Sequence, residues 1–279
     1  MRQINLSYFN KPDLPNFGDD LSPKIVQQLT GLKVTHTNPS AADLIAIGSI
    51  LDFWNSSTKF YLRKIKDRLP GGQRLAIWGS GLMKPKNLKL PPCNVLALRG
   101  PLSKKYAGII DAEVVLADPG ILAHQLVDKV TKSENVGIVP HYVDKNDRVI
   151  KALRKLPGYK VIDVERTCEL VCKEIASCNL ILSSSLHGLV VADAFGIPNA
   201  RLALSQKIIG GDFKFHDYAL GVERNEIPTF APASIADIRS IVRRIKDQPS
   251  MAGHEVIEAK SYELRTKLQQ WVELIHRTG

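Results

Sequence analysis

No apolar run in this 279-residue chain approaches the roughly 20 residues that a membrane-spanning helix needs. The opening residues, Met1-Arg2-Gln3-Ile4-Asn5-Leu6, lack the long apolar core of a signal peptide and read as a short first strand. The expected location is therefore the cytoplasm. Cysteine is sparse. Cys93, Cys168, Cys172 and Cys178 form no CxxC pair of the zinc-binding kind. Cys168 and Cys172 share a helical face with Val171 and Ile175, so the thiols read as reduced core residues. No cluster with metal-ligand spacing is present, and neither GxxxxGK[ST] nor GxSxG occurs. Low-complexity segments and short repeats are absent too.

What is present is ordinary globular composition, 44% hydrophobic and 24% charged, with a basic excess of +10 and a pI near 9.4. Part of that excess is local. Lys59, Arg63, Lys64, Lys66, Arg68 and Arg74 stand against one acid, Asp67. No nucleic-acid signature or aromatic interleaving accompanies them, which leaves an anionic membrane surface or an anionic substrate as the functional readings and a solvated helix face as the plain one.

The first half repeats a short apolar strand, then Gly or Pro, then a helical stretch. Leu44-Ile45-Ala46-Ile47 runs into Gly48-Ser49, and Arg74 to Trp78 into Gly79-Ser80-Gly81. Asn94 to Arg99 meets Gly100-Pro101, and Glu113 to Ala117 meets Asp118-Pro119-Gly120. Continuous apolar runs suit strands covered on both faces, and alternation with helices implies parallel pairing by right-handed crossovers. Ser22-Pro23 predicts the N-cap and first turn of the first helix, with Gly31 closing it. After a polar linker near 129–135 the strand pattern restarts at Val136-Gly137-Ile138-Val139, Lys160-Val161-Ile162, Asn179 to Leu182 and Ala200 to Leu202. Helices are expected at about 144–156, 165–177 and 187–195, and from Pro228 to the end. The fold expected is α/β, with two Rossmann-like domains facing a cleft: residues 1–130, and residues 135–279 with the terminal helices.

The most informative stretch is Leu180-Ile181-Leu182-Ser183-Ser184-Ser185-Leu186-His187-Gly188, where an apolar strand enters a helix. Free N–H groups of a helix start, together with serine hydroxyls, suit an anion, and His187 would stand at the cleft. In Asn16-Phe17-Gly18-Asp19-Asp20, at the first strand-to-helix loop, Asp19 is either a helix-start carboxylate or a group that orients a sugar hydroxyl or acts as a base. Arg99, at the tip of a buried strand, needs an anionic partner: either a phosphate or a loop carboxylate. Lys214-Phe215-His216-Asp217-Tyr218, after Gly210-Gly211, offers a second cation on a possible lid.

On these residues the chain resembles the polysaccharide pyruvyl transferase family, in its short bacterial exopolysaccharide type. The matching pieces run in order: Asn16 to Ser22, Ile47 to Leu51, Ile77-Trp78-Gly79-Ser80-Gly81, Leu98 to Pro101, Asp118 to Leu122, Ile138 to His141, Ser183 to Gly188, and Lys214 to Tyr218. The resemblance implies a GT-B-like fold and a donor substrate, phosphoenolpyruvate, used without metal or other cofactor. The implied partners are that donor and a glycan or lipid-linked oligosaccharide acceptor at the inner face of the plasma membrane, with no nucleic acid. It implies Asp19 and His187 as catalytic residues. Arg99, Ser183, Ser184, Ser185, Gly188, Lys214, Gly18, Gly79 and Gly81 are then substrate-binding. Many members carry arginine two residues before the histidine where this chain has Ser185, so Lys214 or Arg201 is expected to supply that charge. The rival activities are a GT-B glycosyltransferase using a nucleotide sugar and a non-catalytic membrane-binding module.

Overall fold

The computed structural model describes residues 3–11, 13–52, 75–133 and 135–278. The basic cluster from Lys59 to Arg74 lies outside these residues.

Among the described residues, eleven strands form two all-parallel sheets. The first contains β1 (Gln3–Ser7), β2 (Lys33–His36), β3 (Leu44–Ile45), β4 (Ala76–Ser80), β5 (Asn94–Leu98) and β6 (Val115–Leu116), in the order β2-β1-β3-β4-β5-β6. The second contains β7 (Val136–Val139), β8 (Tyr159–Val161), β9 (Leu180–Ser183), β10 (Asn199–Leu202) and β11 (Thr229–Phe230), in the order β11-β10-β9-β7-β8. Each sheet starts on an inner strand, adds one neighbour, then crosses to the other side. The order therefore reverses between β1 and β3 and between β7 and β9, and at such switch points the loops diverge and leave a crevice. β2 and β11 had no clear apolar signature because both are edge strands with partly exposed residues.

The helices are α1 (Phe17–Thr30), α2 (Pro101–Tyr106), α3 (Arg148–Leu153), α4 (Cys168–Ala176), α5 (Leu186–Ala194), α6 (Phe213–Gly221), α7 (Ile235–Asp247) and α8 (His254–Thr278). The expected start of α1 is corrected. Asn16 caps it, its side chain accepting from Gly18 N, so the helix begins at Phe17 and Pro23 lies inside. Ser22 is buried, and its Oγ instead accepts from Ile47 N at 3.2 Å. Gly31 does close the helix, in the left-handed conformation (φ 66°) that costs a residue with a β-carbon about 1–2 kcal/mol.

The stretch after Pro228 is not continuous helix: β11 precedes α7, which opens on a capping box of Ser234 and Asp237. Ile238, Ile241, Val242 and Ile245 of α7 pack on the second sheet beside Ile138, Leu180 and Leu182. The last helix departs from the expected domain boundary. α8 lies against the first half, touching β5, β6 and α1. Trp78 Nε1 donates to Leu264 O at 3.0 Å, and Lys267 pairs with Glu113. Leu264, Leu268, Trp271 and Ile275 thereby join one core that also holds Leu6, Trp78, Leu189 and Tyr218. Residues distant in sequence share it, so the two halves are joined by apolar packing as well as by the linker.

Candidate active site

The two switch points deliver their loops to one place. The loop after β1 brings the start of α1, with Gly18 and Asp19. The segment after β3 brings Gly48 and Ser49, that after β7 brings His141, and that after β9 brings Ser184, Ser185 and His187 on α5. Phe17 N donates to Val164 O at 2.9 Å, fastening the α1 start to the second half.

His187 is only 9% exposed. Its ring occupies the space that a β-carbon on Gly18 would need, with Nδ1 the nearest ring atom. Nε2 on the other side is enclosed and lies 3.9 Å from Asp118 Oδ2. Burial, reinforced by Lys214, Arg99 and His141, lowers the His187 pKa to about 3, so the imidazole is neutral near pH 7. His141 is likewise lowered to about 4, by burial and then Lys214.

The carboxylates move the other way. Burial raises Asp19 to about 7, helped by Asp20 and opposed by its Asn16 hydrogen bond and by Lys214. Burial raises Asp118 to about 6, opposed by the Gly120 N–H and by Arg99. Lys214 falls to about 8 through burial and the positive charges of Arg99 and Arg201. Neutral imidazoles, carboxyls that titrate near neutrality and a crowded cation form a site able to exchange protons beside an anion.

Several expected substrate contacts are already occupied by protein. Arg99 is wholly buried: Nε and Nη2 reach Asp217 Oδ2 at 3.0 and 2.9 Å, Nη1 donates to Ser49 Oγ, and Nη2 to Leu82 O. This is the loop-carboxylate arrangement, not an open fork, although its charge still reaches His187, Asp118 and Lys214. Asp217 also receives Leu102 N, Ser103 N and Ser103 Oγ, so it ties α6 to α2. Ser183 Oγ accepts from Ser185 N and lies 2.9 Å from Val139 O, and Ser184 Oγ accepts from His141 N at 2.9 Å. These hydroxyls knit β9 to β7 and hold His141 in place. Ser185 takes the N-cap position of α5 and makes no side-chain cap.

The expected glycines divide similarly. Gly188 leaves room for Ser183 and Val139, Gly79 (φ 82°) for Pro119, and Gly81 for the Arg99 guanidinium. Gly18 alone of these admits the catalytic candidate. Lys214, in the first turn of α6, is half-buried, and it makes no salt bridge among the described residues. Arg201, at β10, pairs with Asp212 and lies over Phe215 at 3.9 Å. His141, Asp118 and Asp217 carried no individual role in the sequence reading. The only signal was their place at strand ends or in a motif, since the partner that defines each comes from distant chain. Among the described residues no group of His, Cys, Asp or Glu could hold a metal ion.

Two doubly wound parallel halves closed over one histidine–carboxylate site make this an α/β protein with a buried acid–base cluster. The particular family follows from comparison: residues 2–206 match the profile of Polysaccharide pyruvyl transferase, and the chain belongs to that family. The family's description names pyruvyl transfer to a polysaccharide. The succinoglycan biosynthesis protein ExoV of Rhizobium meliloti (strain 1021) is 25% identical over 244 residues, 83% of this chain and 71% of that protein. The uncharacterized protein L143 of Acanthamoeba polyphaga mimivirus is 36% identical over 124 residues, which is 41% of this chain and 43% of that one. Among solved structures, the wall teichoic acid polymerase TagF is 12% identical with a TM-score of 0.49, covering 99% of this chain and 88% of that one. The spinosyn rhamnosyltransferase SpnG is 11% identical with a TM-score of 0.42, covering 100% and 99%.

Proposed function

We propose that the enzyme transfers the pyruvyl group of phosphoenolpyruvate to two hydroxyls of one sugar in a polysaccharide precursor, forming a ketal and releasing phosphate. The observation that carries this reading is the gathering of Lys214, Arg99 and Arg201 beside a neutral His187 and Asp19. Arg99 and Arg201 are each paired with an aspartate, so of the three Lys214 is the cation left to meet the phosphate or carboxylate of a donor, and the reaction needs proton transfer at carbon and at oxygen.

His187, neutral in the free protein, takes up a proton when the negative charges of the donor settle beside it. It gives that proton to the methylene carbon, which makes C2 electrophilic, and the first hydroxyl adds there. Asp19 accepts the proton of the first hydroxyl and passes it back to His187. Phosphate then leaves, the second hydroxyl closes the ring, and its proton departs with the phosphate. Lys214 contacts the donor anion, while Arg99 acts through its field because Asp217 holds its fork. No cofactor is required for this sequence. A cavity of about 310 Å³ at the carboxyl ends of β1, β2 and β3, lined by Tyr8, Phe9, Asn10, His36 and Asn38 among others, offers the aromatic faces and amides that suit an acceptor sugar ring. The acceptor we favour is lipid-linked and presented at the inner face of the plasma membrane.

The test is phosphate release from phosphoenolpyruvate with a panel of lipid-linked oligosaccharides, alongside binding of phosphoenolpyruvate and of nucleotide sugars. Acceptor-dependent phosphate release supports the reading. Binding and turnover of a nucleotide sugar instead would replace it with glycosyl transfer.

A further inference from the structure

Two buried polar atoms face each other in the site without a hydrogen-bond partner: His187 Nε2 and Asp118 Oδ2. Leaving either unpaired costs about 1–3 kcal/mol, and both stand 3.9 Å apart. A hydrogen bond needs about 3 Å, so a modest turn of the ring completes it. The other carboxylate oxygen is fixed, because Asp118 Oδ1 accepts from Gly120 N at 2.9 Å and caps the 3-10 helix Pro119–Leu126. Asp118 therefore has one oxygen for the fold and one for the ring. Nε2 is enclosed and cannot reach a substrate, while Nδ1, packed beside Gly18 in the space a β-carbon would fill, is not among the enclosed unpartnered atoms and is the ring nitrogen left to meet one.

We propose that Asp118 is the positioning residue of His187: its Oδ2 holds the proton on Nε2, so that Nδ1 is the nitrogen that exchanges protons with the substrate. The assignment deepens the pyruvyl-transfer reading and rests on it only for the identity of the atoms that receive the proton. On that reading the imidazolium gives its Nδ1 proton to the methylene carbon and becomes the neutral Nε2–H form, still held by Asp118. The proton of the first sugar hydroxyl returns to Nδ1 by way of Asp19. The second hydroxyl's proton leaves with phosphate, so protons balance over one turnover.

Asp118→Asn is the discriminating variant. The amide oxygen can keep the Gly120 hydrogen bond, which turns the NH2 group toward Nε2. A donor there forces the opposite tautomer and leaves Nδ1 protonated. In protein labelled with 15N-histidine, the His187 resonances are assigned by their loss in His187→Gln. The expected result is an Nε2–H ring in the wild type and an Nδ1–H ring in Asp118→Asn, with turnover reduced about a hundredfold or more. A neutral wild-type ring carrying its proton on Nδ1 overturns the proposal, even if the variant does not fold. An unchanged tautomer in a folded Asp118→Asn overturns it as well. An Nε2–H ring that switches, in an enzyme that releases no phosphate from phosphoenolpyruvate, upholds the pair and sinks the pyruvyl reading instead.

Discussion

The imidazole of His187 fills the space that a β-carbon on Gly18 would occupy. One residue opens the first helix of the first half, and the other stands in the first turn of α5 in the second. The contact requires a glycine, because the nearest ring atoms would collide with any larger residue. Gly18→Ala should therefore push His187 aside. A displacement near 1 Å at reacting groups can cost about a hundredfold in rate. We expect a 10- to 100-fold loss of turnover, on the order set by such misplacement, with a melting temperature within a few degrees of wild type. Full activity would mean the ring position is unimportant.

His187→Gln keeps a hydrogen-bonding side chain and removes the proton shuttle. Turnover should fall by roughly a hundredfold or more, while phosphoenolpyruvate affinity changes far less because Lys214 remains. A purely structural histidine would show the reverse, lost stability with modest loss of rate. Melting temperature, calorimetric affinity and turnover from one preparation separate the two.

The Arg99–Asp217 pair, 1% and 0% exposed, should act on stability before binding. Asp217→Ala leaves a buried guanidinium and the Leu102 and Ser103 donors without their acceptor. Breaking a buried pair in this way costs about 3–5 kcal/mol. Arg99→Lys should also destabilise, because a point charge cannot span the same carboxylate, hydroxyl and carbonyl. Urea unfolding checks both. A stable Arg99→Lys with greatly weakened phosphoenolpyruvate binding would instead make Arg99 a direct donor contact.

The rate should depend on pH over a narrow window. Asp19 must be ionised to accept a proton, so kcat/KM should rise with pH through its raised value of about 7. Lys214 must be protonated to hold an anion, so kcat/KM should fall as pH passes its lowered value of about 8. The expected profile is a bell. Lys214→Arg keeps the charge above that pH, and should move the falling limb upward while the rising limb stays. A falling limb unmoved in Lys214→Arg would assign it to another group.

The cluster Lys59, Arg63, Lys64, Lys66, Arg68 and Arg74, with Tyr61, Leu62, Ile65 and Leu69, predicts salt-sensitive binding to anionic liposomes. Sedimentation at low salt, with and without neutralised cluster residues, tests it. No binding, or binding that survives neutralisation, discards membrane docking.

The sequence by itself determined the two-sheet α/β plan and the regions where chemistry collects. Apolar runs ending in Gly, Pro or Ser are local patterns, and in a parallel sheet they mark the carboxyl ends where loops gather. Hence the β7 bounds, the β9–α5 turn and the place of His187 were legible. Tertiary structure alone decided which polar groups serve substrate and which serve the fold. Arg99 is engaged by Asp217, 118 residues away, and Ser184 by His141, 43 residues away. Asp118 finds His187 only because the two halves close together. The same closure decides where α8 rests, since its apolar stripe could cover either sheet until Trp78 and Leu264 fix the choice. A residue's neighbours within a few positions set its local conformation. Its partners, burial and hence its proton affinity come from distant chain, and those quantities exist only once the halves have packed.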